Sequence, residues 1–424
     1  MRQLPLSDQL PYQFYPPRLN PLILGLARFY IPHSLRHHQR IEELDIAGVE
    51  HLAPLLEQGD GVLLTPNHPD HSDCFVMFEL GRRLRMPFFY MAAHQLFAGK
   101  KHWVLPRIGV FPVDREGASL TAFKTGAEIL SRGRNPLVIF PEGEIYQTAD
   151  RLTPIREGAV AVAVAAEKRL AAAGKTMWIV PVALKYRFLE SHDPLPALCS
   201  LMDRLEVRLS WRVQDHRPLL DRIYHYAEAM LGLKEFEYLG APQPGTLLER
   251  LANLRGRILE RVEDRRGVKR RDDPIPVRVK ELRRACLDAL ARPETTPEET
   301  RSVRGDLNEL FAVMQLFSYP GDYLRRGPTL ERAAETLMKF EEDLLGVDMP
   351  TPRGPRRAVV RLGEPIDVRA RMSAGGRPRQ AASELSIELE SRMQSLLDTI
   401  GPGRPLAATA AAMPASPRLQ SSSA

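Results

Sequence analysis

Gly61-Val62-Leu63-Leu64-Thr65-Pro66-Asn67-His68-Pro69-Asp70-His71-Ser72-Asp73-Cys74-Phe75-Val76-Met77-Phe78-Glu79-Leu80 runs from one apolar segment, through a dense polar one, into a second apolar segment. It reads as a strand, a turn and a helix, and such turns present side chains and free amides to a cleft. Within the turn, His68 and Asp73 suit an acid–base pair. The carboxylate would accept from one imidazole nitrogen and fix the tautomer, so that the other nitrogen can take a proton from a hydroxyl. Two other readings stay open on this segment alone. One is an ordinary surface loop; the other is a metal site, because His68, Asp70, His71 and Asp73 offer four ligands. No comparable downstream cluster of His or Asp supports the metal reading.

Outward from this turn, residues 41–211 alternate short apolar runs with longer amphipathic ones, the pattern of an α/β domain. Strands are expected at 61–65, 88–92, 109–113, 137–140, 178–184 and 206–211. Leu120, Phe123, Ala127 and Leu130 recur at helical spacing behind Ser119, a candidate cap. At 159–165 the Ala/Val alternation mimics a strand, but Ala is a poor strand former and the continuation favours a buried helix. From 216 to 350 strand signals fade and charged amphipathic runs dominate, notably at 247–263, 276–290 and 330–345. Strand character returns at 358–368, and 381–400 reads as a final helix. The organisation expected is an arm with an interfacial segment (1–40), an α/β core (41–215), a helical insertion (216–350), a return to the core (351–400) and a disordered tail (401–424).

Three further blocks follow the first. Gly109-Val110-Phe111-Pro112-Val113-Asp114-Arg115 ends a strand with a cation suited to bidentate capture of phosphate. Phe140-Pro141-Glu142-Gly143-Glu144 ends another with an acid and a glycine that permits close backbone approach. Ile179-Val180-Pro181-Val182 puts a proline in an apolar strand, which points to an edge or an irregularity. With these four blocks in this order, the chain resembles the glycerolipid acyltransferase family, which includes lysophosphatidate and glycerol-3-phosphate acyltransferases. The resemblance covers about 50–211, with Leu362-Gly363-Glu364-Pro365-Ile366 similar to that family's late strand.

The resemblance implies a mixed-sheet acyltransferase domain carrying a large helical insertion. It implies His68 as general base, Asp73 as its orienting partner, Arg115 on the acceptor phosphate, Glu142 and Gly143 holding the acceptor, and Pro181 shaping a pocket. It also implies an acyl donor on coenzyme A or acyl carrier protein and no metal or redox cofactor. One departure stands out. Lysophosphatidate acyltransferases commonly follow the Glu-Gly pair with Thr-Arg, whereas Glu144-Ile145 stands here, so a substitute cation is expected from Arg156 or, less well placed, Arg151. Lysophosphatidate or a similar lysolipid is thus the leading acceptor, glycerol 3-phosphate its nearest rival, and a phosphate-free lysolipid a third class. A metal-dependent hydrolase and a non-catalytic anionic-lipid- or nucleic-acid-binding protein are the rivals from other classes.

The chain's 424 residues, 44% hydrophobic and 26% charged, fit globular domains and argue against a fibrous or wholly disordered protein. Cys74, Cys199 and Cys286 lie far apart, which favours a reducing, cytosol-facing location over a disulfide framework. The net charge is +6, and residues 255–284 alone hold twelve Lys or Arg against six Asp or Glu, an excess equal to that of the whole chain. Such a patch suits an anionic membrane surface; no specific nucleic acid is expected. No run reaches the roughly twenty apolar residues that span a bilayer. Leu22, Ile23, Leu24, Leu26, Phe29, Tyr30 and Ile31 instead suit a foot in the membrane interface, so the protein is expected at the membrane periphery, with core packing as the alternative use of these side chains.

Overall fold

The computed structural model describes residues 12–114, 119–374 and 378–407. In chain order come α1 (Pro21–His37), β1 (Ile41–Ala47), α2 (Leu52–Glu57), β2 (Gly61–Pro66), α3 (Asp73–Arg83), β3 (Phe89–Ala93), α4 (Lys101–Val104), β4 (Val110–Val113), α5 (Leu120–Ser131), β5 (Leu137–Val138), α6 (Gly158–Ala172) and β6 (Met177–Phe188). Six helices follow: α7 (Leu195–Arg208), α8 (Leu219–Leu239), α9 (Leu247–Arg266), α10 (Ile275–Leu290), α11 (Pro297–Phe317) and α12 (Leu330–Leu345). The chain then forms β7 (Arg356–Leu362), β8 (Ile366–Asp367), α13 (Val368–Ala374) and α14 (Pro378–Ile400). These elements cluster into two compact units. One runs to Leu189 and resumes over Pro355–Pro402, and the other comprises Glu190–Gly354 with the described residues from Gly403 onward.

In the first unit the strands form one sheet in the order β1-β7-β6-β2-β5-β3-β4, with β8 also paired to β6. Neighbours are parallel except where β7 and β8 run antiparallel to β6, so the sheet is mixed. Alternation along the strands sends side chains to two separate cores. Leu63, Phe111, Leu137 and Ile179 face Leu130, Val160, Leu389 and Met393 on one side. Val62, Leu64, Val180, Val182, Tyr186 and Val360 face Leu35, Leu52, Val76 and Leu80 on the other. The helix expected at 159–165 is α6. Ser119 stands at the start of α5 but makes no capping bond there; its hydroxyl donates to Tyr12 Oη at 2.8 Å.

Pro181 points to an edge or an irregularity, and the structure has the second: β6 lies inside the sheet, between β2 and β7, with the break between β7 and β8 beside Pro181. The missing N–H is accommodated by the break between β7 and β8. The Pro181 carbonyl accepts from the Gly363 amide at 2.8 Å, just where the chain leaves β7, so the N–H that proline lacks falls at the break and not within the paired run.

A second expectation fails at 206–211, where a strand was read and α7 stands. The alternation Glu206-Val207-Arg208-Leu209 mimics a strand, but Leu198, Leu201, Met202 and Leu205 recur at helical spacing and are buried, while Val207 is 60% exposed. The chain therefore leaves the sheet at Leu189. β1, in contrast, is a strand that its acidic sequence concealed: among the described residues it pairs only with β7, and most of its residues are half-buried or exposed.

In the helical unit, Thr246, Thr296 and Thr329 cap α9, α11 and α12 by accepting the amide of the third helical residue. Leu254, Ile258, Val262, Leu282, Leu310 and Val313 form its enclosed core. Among the described residues no helix is long and apolar enough to cross a membrane.

Candidate active site

Parallel strands β2, β5, β3 and β4 end at one edge of the sheet, and loops beyond such carboxyl ends commonly build ligand sites. Pro66 ends β2, and Asn67 then extends the pairing with a side chain that acts as a peptide surrogate. Its Nδ2 donates to the Leu184 carbonyl at 3.0 Å, and its Oδ1 accepts from the Leu184 amide at 2.6 Å. This anchors the turn to β6 and delivers His68 to the sheet edge.

His68 is held at three points. Its backbone amide donates to Glu142 Oε1 at 2.7 Å, its ring stacks on Phe140 with centroids 4.1 Å apart, and its Nδ1 lies 2.7 Å from Asp73 Oδ2. Asp73 is the first residue of α3 and is fully buried. With Asp73 ionised, the imidazole proton sits on Nδ1 and the lone pair on Nε2. The His68 side chain keeps 15% exposure, so Nε2 is the nitrogen left to meet a substrate. Burial pushes the Asp73 carboxyl above the ordinary carboxylate range, while its bonds to His68 and Tyr186 pull it back.

Three partners of this turn come from beyond it. The Tyr186 hydroxyl on β6 donates to Asp73 Oδ1 at 2.5 Å. Arg356, the first residue of β7, donates to Asp70 Oδ2 at 2.7 Å, to the Gln39 carbonyl at 3.0 Å and to Ser72 Oγ at 3.1 Å. Ser72 Oγ also bonds Gln39 Oε1 at 3.0 Å and Asp70 Oδ1 at 2.6 Å. Burial pushes the Asp70 carboxyl up, but Arg356 and Ser72 outweigh it and hold the group below its usual range. Sequence reading missed Tyr186, Arg356, Gln39 and Asn67. Only Asn67, adjoining His68, carried a local signal.

Glu142 is buried, and both its oxygens are occupied by backbone amides: Oε1 by His68 and Oε2 by Thr153 at 2.9 Å. Burial raises its carboxyl to about 7 in spite of these bonds. Gly143 has φ +78°, and a Cβ there would lie 2.7 Å from Arg156 Nε; a side chain at 143 would thus displace the guanidinium. Arg156 donates its amide to the Pro141 carbonyl at 2.8 Å and lies 4.0 Å from the Glu144 carboxylate. Arg151, the other cation considered, is exposed on the same loop.

The structure therefore brings His68, Asp73, Glu142, Gly143 and Arg156 together. Pro181 lies on the opposite face of β6 from Tyr186, with its ring near Gly363. Arg115 lies outside the described residues, although β4, which precedes it, ends at the same sheet edge as β2. Of the four residues weighed as metal ligands, Asp70 is engaged by Arg356 and Asp73 by His68 and Tyr186. Among the described residues no three His, Cys, Asp or Glu side chains converge to hold a metal ion.

The segment 44–185 matches the family model described as Acyltransferase. No curated protein matches the chain.

Proposed function

Because residues 44–185 form a domain of the acyltransferase family, we propose that the protein moves a fatty acyl group from a thioester of coenzyme A or acyl carrier protein to the hydroxyl of lysophosphatidate or a similar lysolipid. The observation that carries this reading is the 2.7 Å contact between His68 Nδ1 and Asp73 Oδ2, with Nε2 open to substrate. Nε2 takes the hydroxyl proton as the oxygen attacks the thioester carbonyl and the new C–O bond forms. The C–S bond then breaks, and the imidazolium returns the proton to the departing thiolate. Asp73 steadies the transient imidazolium without itself taking the proton.

Arg156, beside the Glu142-Gly143 turn, is the described cation best placed to meet an anionic acceptor, and the resemblance gives Arg115 the same role. Glu142 acts through the His68 backbone, since both its oxygens are taken. Glu144 beside Arg156 offsets part of the charge, which favours acceptors with a single phosphate and keeps a phosphate-free lysolipid as the second reading. Acceptor access would come from the cytosolic membrane surface. Leu22, Leu26, Phe29 and Tyr30 form an exposed stripe on α1, with Phe29 83% exposed, and such a stripe suits the lipid interface.

Purified protein given labelled acyl thioesters should acylate lysophosphatidate in preference to glycerol 3-phosphate, and His68→Ala should abolish transfer. Transfer that survives His68→Ala removes the mechanism; preference for glycerol 3-phosphate reassigns the acceptor.

A further inference from the structure

The pairing with His68 uses one oxygen of Asp73. Oδ2 meets Nδ1 of His68 at 2.7 Å and the Asp70 amide at 2.9 Å. Oδ1 meets the Tyr186 hydroxyl, and the tyrosine is 5% exposed. An ionised carboxylate can only accept, so this hydroxyl must donate, and the bond is charge-assisted and enclosed. Behind it, the Arg356 guanidinium lies 4.6 Å from the Tyr186 ring centroid and pairs with Asp70 at 2.7 Å. Arg356 Nε is buried with no hydrogen-bond partner among the described residues. A buried cation with an unspent donor costs stability, which is a reason to look for a role beyond folding.

Resting on the reading of His68 as general base, we propose that Tyr186 and Arg356 are positioning residues for the transfer. Tyr186 locks the Asp73 carboxylate so that Oδ2 faces His68, and Arg356 neutralises Asp70 so that its charge does not act on the imidazole. Neither residue lies within the matched segment 44–185, so the site is completed by β6 and by the late strand β7.

The groups that bear on the His68–Asp73 pair are Asp70 in the turn, Cys74 on α3, Glu142 beyond β5, Tyr186 on β6 and Arg356 on β7. Removing the Tyr186 hydroxyl leaves the other four in place. It concentrates the Asp73 charge on Oδ2, stabilises the imidazolium and holds the base protonated to higher pH. Replacing Arg356 by a neutral residue exposes the imidazole to the Asp70 charge and acts in the same direction. A filler role for either side chain would change melting and leave the pH profile where it was.

The test compares Tyr186→Phe, Arg356→Gln and Arg356→Lys with the parent enzyme on the acceptor it uses, alongside thermal melting. Tyr186→Phe should lower kcat roughly tenfold, as expected for loss of one charge-assisted bond, with KM nearly unchanged. The acid limb of its kcat/KM profile should move to higher pH. Arg356→Gln should shift the limb the same way, and Arg356→Lys should restore it. A folded Tyr186→Phe enzyme with parental kcat and acid limb overturns the proposal. Should Tyr186→Phe fail to fold, an unshifted limb in Arg356→Gln overturns it equally. His68→Ala separates the two levels: a dead His68→Ala with unaltered Tyr186→Phe and Arg356→Gln sinks this inference alone, whereas an active His68→Ala sinks the dyad beneath it.

Discussion

Around His68, the two carboxylates of the turn are each met from a distant part of the chain, Asp73 by Tyr186 and Asp70 by Arg356, and one nitrogen of the ring stays outside these bonds. Around Asp306 on α11 the arrangement differs. Arg265 and Arg266 on α9 converge on one carboxylate that is 2% exposed, and Arg265 also reaches Glu309 at 2.6 Å. Arg278 is likewise spent on Glu263 at 2.9 Å, and Arg250 on Glu235 at 2.7 Å. The basic stretch 255–284, an anionic docking surface on sequence, thus turns several of its arginines onto carboxylates of neighbouring helices. Two charge-rich regions differ in how they use their charges: the helices spend several arginines on buried carboxylates, whereas the turn keeps a basic nitrogen at its rim.

The sharpest way to break this contrast is Asp73→Asn. It keeps the volume and should keep the fold, yet removes the charge that steadies the imidazolium, so kcat should fall by about a thousandfold or more; steady-state kinetics beside a melting curve would check it. Next in size is Asp306→Ala, which strands two guanidiniums and should cost about 3 kcal/mol of stability in urea denaturation. At temperatures where this variant stays folded, kcat should equal the parent's. A folded Asp306→Ala enzyme without activity would dissolve the division between the regions.

Glu142 sharpens the contrast through pH. Its folded value of about 7 exceeds the ordinary 4.5, so folding takes up a proton between these values. Its contribution to stability therefore falls as pH rises from about 4.5 to about 7 and does not fall further above that. Glu142→Gln should flatten this part of the stability–pH curve in urea titrations across that window. The smallest effect is expected at Arg270, an exposed partner of Asp264: Arg270→Ala should leave the urea midpoint unmoved, because exposed pairs are screened by water.

Much of the architecture was legible in the residues. Apolar runs marked β2, β3, β4 and β6, and helical spacing marked α5, α9, α10, α12 and α14. The four ordered blocks led to the family whose model matches residues 44–185. Two errors have separate causes. At 206–211 a short alternation was read without the longer 3.6-residue pattern upstream, and β1 escaped because an edge strand need not be apolar on both faces.

His68 and Asp73 were readable because they lie in one short turn, where spacing nearly dictates proximity. Tyr186 and Arg356 were not readable. Their partners Asp73 and Asp70 lie 113 and 286 positions away, and a tyrosine in a strand or an arginine at its start has no local signature. What brings them to the turn is the register of β6 against β2 and β7, set by the burial of Val180, Val182 and Val360 on one face of the sheet. Residue type and local spacing determined that a base and a carboxylate would meet. The folded sheet decided what stands behind that carboxylate, because side chains from distant strands come within hydrogen-bonding distance only once the strands are paired in register.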